Sequence, residues 1–195
     1  PHGLVRTPAF APVGTRGAVK AVTHRDLLGL GAEMILANAY HLHLRPGASL
    51  VARAGGVHRF IGWDRPMLTD SGGYQVFSLG HRRRIDEGGV SFRSHLDGSL
   101  QRLTPESATE IQARLGADIA MVFDECTSYP VSEDQARDSM QRTLRWARRG
   151  RERFLAIAAD PGALDGAVTN PGQAQFGIVR GSVYGRLREQ SARDT

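Results

Sequence analysis

Short apolar runs alternate with amphipathic segments along the chain, and polar residues follow most of the runs. The predicted strands are residues 33–37, 66–70, 118–123 and 176–179. The predicted helices between and after them are residues 24–30, 50–54, 105–115, 132–154 and 186–192. Strands that alternate with helices predict an α/β fold built on a parallel sheet.

Local signals support several of these elements. Thr23 and Thr104 are predicted N-caps, and Pro105 occupies the first helical turn after Thr104. Residues 85–103 alternate around Asp97-Gly98, which predicts a hairpin with a type I′ turn. Residues 160–173 are rich in Gly, Pro and Asp and are predicted to form a loose surface loop.

Polar residues that follow parallel strands converge on one rim of the sheet, where barrel enzymes place their sites. One such stretch is Asp70-Ser71-Gly72-Gly73-Tyr74. The glycines would let the backbone approach a flat ligand, and the tyrosine ring would lie against its face. A solvated Asp followed by an ordinary Gly-Gly turn is an equally good interpretation of these five residues alone.

A second carboxylate, Asp124, follows the next predicted strand of the sheet. A carboxylate can accept two parallel N–H bonds from a guanine-like edge, and a neighbouring carboxylate can move a proton. Paired carboxylates also fit a metal site or a glycosidase. His41 and His43 could add two metal ligands, although hydrogen-bonded structural histidines are the more common case.

Composition narrows these possibilities. The chain has 195 residues with a net charge of +5, and Cys126 is its single cysteine, which excludes an internal disulfide framework. No apolar run is long enough to span a membrane and no leader precedes Pro1, so we expect a cytoplasmic protein. Two arginine-rich stretches, 82–84 and 145–153, are either phosphate contacts for nucleic acid or solvated faces.

Eight short motifs, taken in order, resemble one family. The motifs are residues 12–15, 38–42, 44–47, 68–79, 94–99, 103–106, 123–127 and 176–179. Together they resemble the bacterial tRNA-guanine transglycosylases, also called queuine tRNA-ribosyltransferases. The resemblance covers nearly all of the chain, and it is the ordered set that makes it specific.

This resemblance implies a TIM (β/α)8 barrel with insertions, of which residues 1–195 would be a single incomplete domain. A closed barrel needs about 250 residues, so we expect the chain to be truncated before the C-terminal half and the zinc subdomain. The implied reaction exchanges guanine at the wobble position of tRNA for a 7-deazaguanine, the prequeuosine base preQ1, through a covalent ribosyl-enzyme. The resemblance also implies a homodimer and no membrane partner.

Site residues follow from the resemblance position by position. Asp70 matches the proton acceptor, and Ser71, Gly72, Gly73 and Tyr74 match the wall of the base pocket, with Tyr74 as the stacking ring. Asp124 matches the carboxylate that reads the purine edge. Cys126 matches the bacterial form, which favours preQ1 over queuine. Arg180 and Gly181 complete the expected base-binding set.

Three departures from the family pattern stand out. Arg180 replaces a common Gln, so either the pocket is altered or Arg180 pairs with a carboxylate there. Ala39 replaces a common Thr, with little expected effect. The nucleophilic Asp and the Cys/His ligands of Zn2+ are expected beyond Thr195, which would leave this chain alone inactive.

Two alternatives to the transglycosylase remain open at this point. One is a truncated, non-catalytic chain that binds bases or RNA. The other is a metal-dependent barrel hydrolase that uses His41, His43 and a rim Asp. The second predicts a bound metal whose loss would accompany loss of activity.

Overall fold

The structure is a computed structural model that describes residues 2–80, 83–165 and 167–195. The strands are Ile35–Asn38 (β1), Met67–Asp70 (β2), Arg83–Asp86 (β3), Gly89–Arg93 (β4), Leu100–Leu103 (β5), Ile119–Met121 (β6) and Ala174–Phe176 (β7). The α-helices are His24–Gly29 (α1), Ala39–Leu44 (α2), Ala48–Arg53 (α3), Val57–Ile61 (α4), Gly73–Ser78 (α5), Pro105–Leu115 (α6), Glu133–Ala159 (α7) and Gly185–Asp194 (α8).

A four-stranded parallel sheet lies at the centre, in the order β1-β2-β6-β7. Its strands therefore follow one another in space as they do along the chain, with helices in the connections. The register pairs Asn38 with Asp70 at the carboxyl ends of β1 and β2. This confirms the predicted α/β class and the parallel sheet.

A second sheet is an antiparallel meander of β3, β4 and β5, inserted between α5 and α6. The predicted hairpin corresponds to β4 and β5. The predicted type I′ turn was wrong, because only Gly98 of the Asp97-Gly98 pair has a positive φ. Residues 94–99 form a wider loop instead, closed by a bond from the Gly98 amide to the Ser94 carbonyl at 2.9 Å.

The helices with predicted caps begin where the caps lie. The hydroxyl oxygens of Thr23 and Thr104 each accept a hydrogen bond from the backbone amide of the third residue of their helix. Their own backbone amides donate to the side chain of that same residue. Ser132 caps α7 in the same way. These capping boxes satisfy amides that the first turn of a helix leaves without partners.

Aromatic packing at the centre of the core attaches α7 to the end of β6. The rings of Phe123 and Trp146 stack with their centroids 5.1 Å apart, and both side chains are fully buried. The Trp146 indole N–H donates to the carbonyl of Glu87 at 2.9 Å. Because Asp124 directly follows Phe123, this stack also fixes where that carboxylate emerges.

Several boundaries differ from the predictions. The fourth strand is 174–176 rather than 176–179, because Phe176 and Val179 are exposed and the ladder pairs Ile119 with Ala174. Helices α2, α4 and α5 were missed. All three are short, and α4 and α5 are also flanked by glycines. The predicted loop contains a 3-10 helix, Pro161–Leu164, whose last side chain is buried.

No helix in the described part of the chain is long and apolar enough to cross a membrane.

Candidate functional site

Four polar side chains follow the four parallel strands and meet at one rim of the sheet. Asn38 and Asp70 end β1 and β2, Asp124 lies three residues after β6, and Arg180 lies four residues after β7. The Asn38 side chain contacts Asp70, and the Arg180 side chain contacts Asp124. The predicted convergence of strand-end residues is therefore present in the structure.

Gln112 of α6 positions the two central strands below the rim. Its side-chain oxygen accepts from the Thr69 hydroxyl at 3.0 Å and from the Met121 amide at 2.9 Å. Its side-chain N–H donates to the Met121 carbonyl at 2.8 Å. This buried amide holds β2 and β6 together just before the two carboxylates, and the sequence motifs did not single it out.

Asp70 is partly buried and accepts four hydrogen bonds. Its donors are the amides of Ala39 and Gly72, both at 3.2 Å, the Gln75 side chain at 2.9 Å and the Asn38 side chain. Burial raises the pKa of this carboxyl group, and these hydrogen bonds only partly oppose the rise. The result is a carboxylate of more than usual basicity, held in one orientation.

Gly72 and Gly73 bring the backbone against Asp124. Gly72 has a φ of +88° and serves as the N-cap of α5, which turns the chain sharply away from β2. A Cβ at Gly73 would lie 2.5 Å from the Asp124 carbonyl oxygen and closer still to its carboxylate Oδ1. Only glycine lets α5 begin at this distance from the carboxylate.

Asp124 is 4% exposed and has partners on both carboxylate oxygens. The Ser71 hydroxyl donates to Oδ1 at 3.2 Å. Oδ2 forms an ion pair with Arg180 and accepts a weak bond from the Cys126 thiol at 3.7 Å. Of the two outcomes considered for Arg180, the structure shows pairing with a carboxylate.

The loop after β7 fixes the position of Arg180. Its amide donates to the Ser191 hydroxyl of α8 at 2.9 Å. Gly181 has a φ of +125°, and a Cβ there would lie 2.7 Å from the Arg188 amide nitrogen. Glycine at 181 therefore serves the close approach of this loop to α8.

Cys126 lies beneath the Arg180 guanidinium. One guanidinium N–H donates to the Cys126 sulfur at 3.0 Å, and the side chain is buried. Burial raises the pKa of the thiol to about 11, so the sulfur stays protonated near neutral pH. The site holds this cysteine as a neutral, polarisable wall and not as a nucleophile.

Tyr74 projects outward from the first turn of α5. Its side chain is 66% exposed, and its ring lies 6.3 Å from that of Phe77. The ring is thus available at the open side of the rim, and its stacking role stays a prediction.

His41 and His43 have different neighbours and do not form a metal site with a rim carboxylate. The rings of His41 and His95 lie 5.5 Å apart, and Tyr40 bonds His95 at 3.0 Å. The neighbouring charge at His43 is instead that of Arg114, which lowers the pKa of this histidine. Burial is the main cause that lowers the pKa of both histidines, so both favour the neutral form.

One cluster that the sequence did not reveal lies at the opposite end of the sheet. His2 Nδ1 lies 2.8 Å from Asp118 Oδ1, and His58 Nε2 lies 3.0 Å from Asp118 Oδ2. Among the described residues, these three side chains form the one group of three that could hold a metal ion. The two imidazole rings stack in parallel, with centroids 3.5 Å apart. The backbone amide and the imidazole of His2 both contact the Asp118 carboxylate, at 3.2 and 2.8 Å, so the cluster anchors the N-terminal segment.

The arginine-rich stretch of α7 is mostly paired with acids. Arg145 contacts Glu87, Arg149 contacts Glu106 and Arg153 contacts Glu110, each at 2.7 Å. Three arginines spaced by four residues thus attach α7 to α6 and to the β3–β4 turn. This favours a structural role for these side chains over phosphate binding. In the other stretch, Arg82 lies outside the described residues.

Comparison with known proteins gives a consistent result along the whole chain. The family model described as "Queuine tRNA-ribosyltransferase" matches residues 1–195. A queuine tRNA-ribosyltransferase of Rickettsia felis is 54% identical over 193 residues, which cover 99% of this chain and 50% of the relative. The Rickettsia akari protein of the same name is 53% identical, over 98% of this chain and 50% of its own length.

The chain therefore spans about half the length of the curated relatives it matches. The matched stretches cover 98–99% of this chain. This chain belongs to the queuine tRNA-ribosyltransferase family.

Proposed function

We propose that this chain supplies the base-recognition half of a tRNA-guanine transglycosylase, which replaces guanine at the tRNA wobble position with preQ1. The observation that carries the proposal is the pair of carboxylates, Asp70 and Asp124, delivered to one rim by neighbouring parallel strands. Family membership supports it, since relatives over the same residues carry the name queuine tRNA-ribosyltransferase.

Asp124 is the proposed reader of the purine. A carboxylate presents two acceptors side by side, and the edge of guanine or a 7-deazaguanine presents two adjacent N–H donors, N1–H and the 2-amino group. Adenine lacks this pair of donors, so an adenine complex would give Asp124 no two-point hydrogen bond from the base.

Asp70 is the proposed proton acceptor. Its raised pKa increases its affinity for a proton, and its four hydrogen bonds fix its orientation at the mouth of the site. When the incoming base attacks the ribose C1′, the proton leaving its ring nitrogen would pass to this carboxylate. Tyr74 would close the outer face of the base.

The rest of the reaction is proposed to depend on groups outside these residues. An aspartate nucleophile would attack C1′ as guanine leaves, which gives a ribosyl ester that the second base then displaces. Residues 1–195 do not fit a Cys/His zinc site, because such a site needs several cysteines and the single one, Cys126, is part of the base site. Ligands for Zn2+ would therefore also lie outside these residues.

The remaining features of the proposal are architectural. The order β1-β2-β6-β7 is that of the first four strands of a (β/α)8 barrel, with the β3–β5 meander as an insertion. We propose that residues 1–195 are part of one such barrel domain, in a cytoplasmic homodimer that also binds zinc and takes tRNA as substrate.

Turnover of two variants tests the proposal. In the native protein that carries this chain, Asp70→Asn should retain guanine binding and lose incorporation of labelled guanine into tRNA. Asp124→Ala should lose both, because the purine edge then has no acceptor. Incorporation near the parent rate in Asp70→Asn would remove Asp70 as the proton acceptor, and unchanged guanine affinity in Asp124→Ala would remove Asp124 as the reader.

A further inference from the structure

The base-reading carboxylate is already engaged in the structure. Asp124 Oδ1 accepts from Ser71, and Oδ2 carries the ion pair with Arg180. A purine edge that needs both oxygens therefore meets a site in which a cation holds one of them. The carboxylate side chain is almost fully buried, so water cannot screen the pair effectively.

Arg180 is only partly satisfied where it lies. Its Nε is buried and has no hydrogen-bond partner among the residues that the structure describes. Burial is also the cause that lowers the pKa of its guanidinium. A buried N–H without a partner costs free energy. The Arg180 side chain would therefore gain free energy in another position that offers its Nε–H an acceptor.

Such a position lies beside it. A cavity of about 160 Å³ is lined in part by Arg180 and by the loop that follows Asp124, including Glu125, Thr127 and Ser128. A water molecule takes about 30 Å³. The four heavy atoms of a guanidinium, each counted as one water, would need about 120 Å³, which is less than the volume of the cavity. The oxygen acceptors of Thr127 and Ser128 line one side of it. The rest of its lining includes the 179–182 loop, Ser139 of α7 and the cationic Arg188 of α8.

We propose that Arg180 and the purine base compete for Asp124, so that Arg180 sets the affinity of the site and moves into the adjacent cavity when a 2-amino-6-oxopurine binds. The inference rests on the proposed function, since it takes Asp124 as the reader of the base. Under this proposal Arg180 weakens base binding, whereas a side chain that contacts the base would strengthen it.

Affinity for guanine and for 7-deazaguanine, measured by calorimetry, tests the competition in the native protein. Arg180→Gln keeps a neutral donor near Asp124 and removes the charge, so it should bind both bases roughly 10- to 100-fold more tightly. Arg186→Gln is the matched control, because this exposed arginine of α8 loses the same charge away from the site. It should leave both affinities unchanged.

A measurement on the parent protein gives an independent readout. The guanidinium 15N–1H signals of Arg180 should shift on saturation with guanine, as the partner changes from Asp124 to the cavity wall. Unmoved signals at saturation would overturn the proposal without any variant.

The outcomes separate this inference from the function on which it rests. Binding to the parent, with equal or weaker binding to Arg180→Gln, would overturn the competition and leave the base site standing. No binding of either base to the parent or to Arg180→Gln would overturn the base site itself. Tight binding that survives in an Asp124→Ala/Arg180→Gln double variant would show that another group reads the base.

Discussion

Replacement of Gly73 by alanine adds one methyl group at the closest approach between α5 and Asp124. The new Cβ would lie 2.5 Å from the Asp124 carbonyl oxygen and nearer to Oδ1, whereas real contacts are essentially never under 3.0 Å. The carboxylate cannot swing aside freely, because Ser71 and Arg180 hold its two oxygens. The clash must therefore move α5 or the backbone after β6.

The magnitude follows from two opposing terms. Overpacking by a methyl group in a close-packed site costs about 1–3 kcal/mol. Alanine in place of glycine within a helix gains roughly 0.5–1 kcal/mol, and Gly73 is the first residue of α5. The net loss should be about 0–2.5 kcal/mol, which lowers Tm by up to roughly 10 °C for a chain of this size.

Calorimetric or circular-dichroism melting of the parent and the variant measures the loss, and guanine affinity should fall with it. Gly29→Ala is the matched control, since this glycine is also helical and its added Cβ would have no neighbour within 4 Å in the described part of the chain. The control should melt at or above the parent temperature. A Tm of Gly73→Ala equal to that of Gly29→Ala would refute the close packing of α5 on Asp124.

Three further predictions follow from the described contacts. Arg149→Met should lower stability by about 1 kcal/mol or less in chemical unfolding, because it removes the two-point contact with Glu106, while exposed Arg148→Met should not. Burial is the main cause that lowers the pKa of His43, so the unfolded chain binds a proton at this residue more readily than the folded chain. The free energy of unfolding should therefore fall as the pH drops from about 6.5. His43→Gln should flatten this dependence in melts between pH 5 and 8. The raised pKa of Asp70 should place the acid limb of guanine incorporation by the parent protein above the ordinary aspartate range, and an acid limb within or below that range would contradict the assignment.

Local chemistry explains the elements that the sequence predicted well. The predicted caps at Thr23 and Thr104 each satisfy the first amides of their own helix, so a few adjacent residues contain the whole signal. The convergence of Asp70 and Asp124 also followed from the sequence, because parallel strands carry their ends to the same rim.

The misses have a common origin in contacts between distant segments. The fourth strand was predicted at 176–179 because this apolar run suggested burial. The strand instead lies at 174–176, where Gln175 pairs with Ala120, and Phe176 is half exposed. The arginine ladder of α7 depends on acids 43 or more residues away, of which Glu106 and Glu110 belong to α6. Sequence spacing shows that such side chains share a helix face and cannot show which partners face them.

Tertiary contacts also decide the state of the site. The Arg180 substitution was visible in the sequence, and two outcomes followed from it. Its pairing with Asp124 depends on the loop that Gly181 and Ser191 hold against α8, which no local pattern encodes. Gln112 was missed for the same reason, since its role appears only when α6 lies against β2 and β6.

Equilibrium binding of labelled guanine, in competition with adenine, tests most directly whether this rim is a purine-reading site. In the native protein, guanine should bind saturably, excess adenine should fail to displace it, and Asp124→Ala should abolish binding while Gly29→Ala retains it. Displacement by adenine as readily as by unlabelled guanine, or undiminished binding in Asp124→Ala, would show that the buried carboxylate does not read the base.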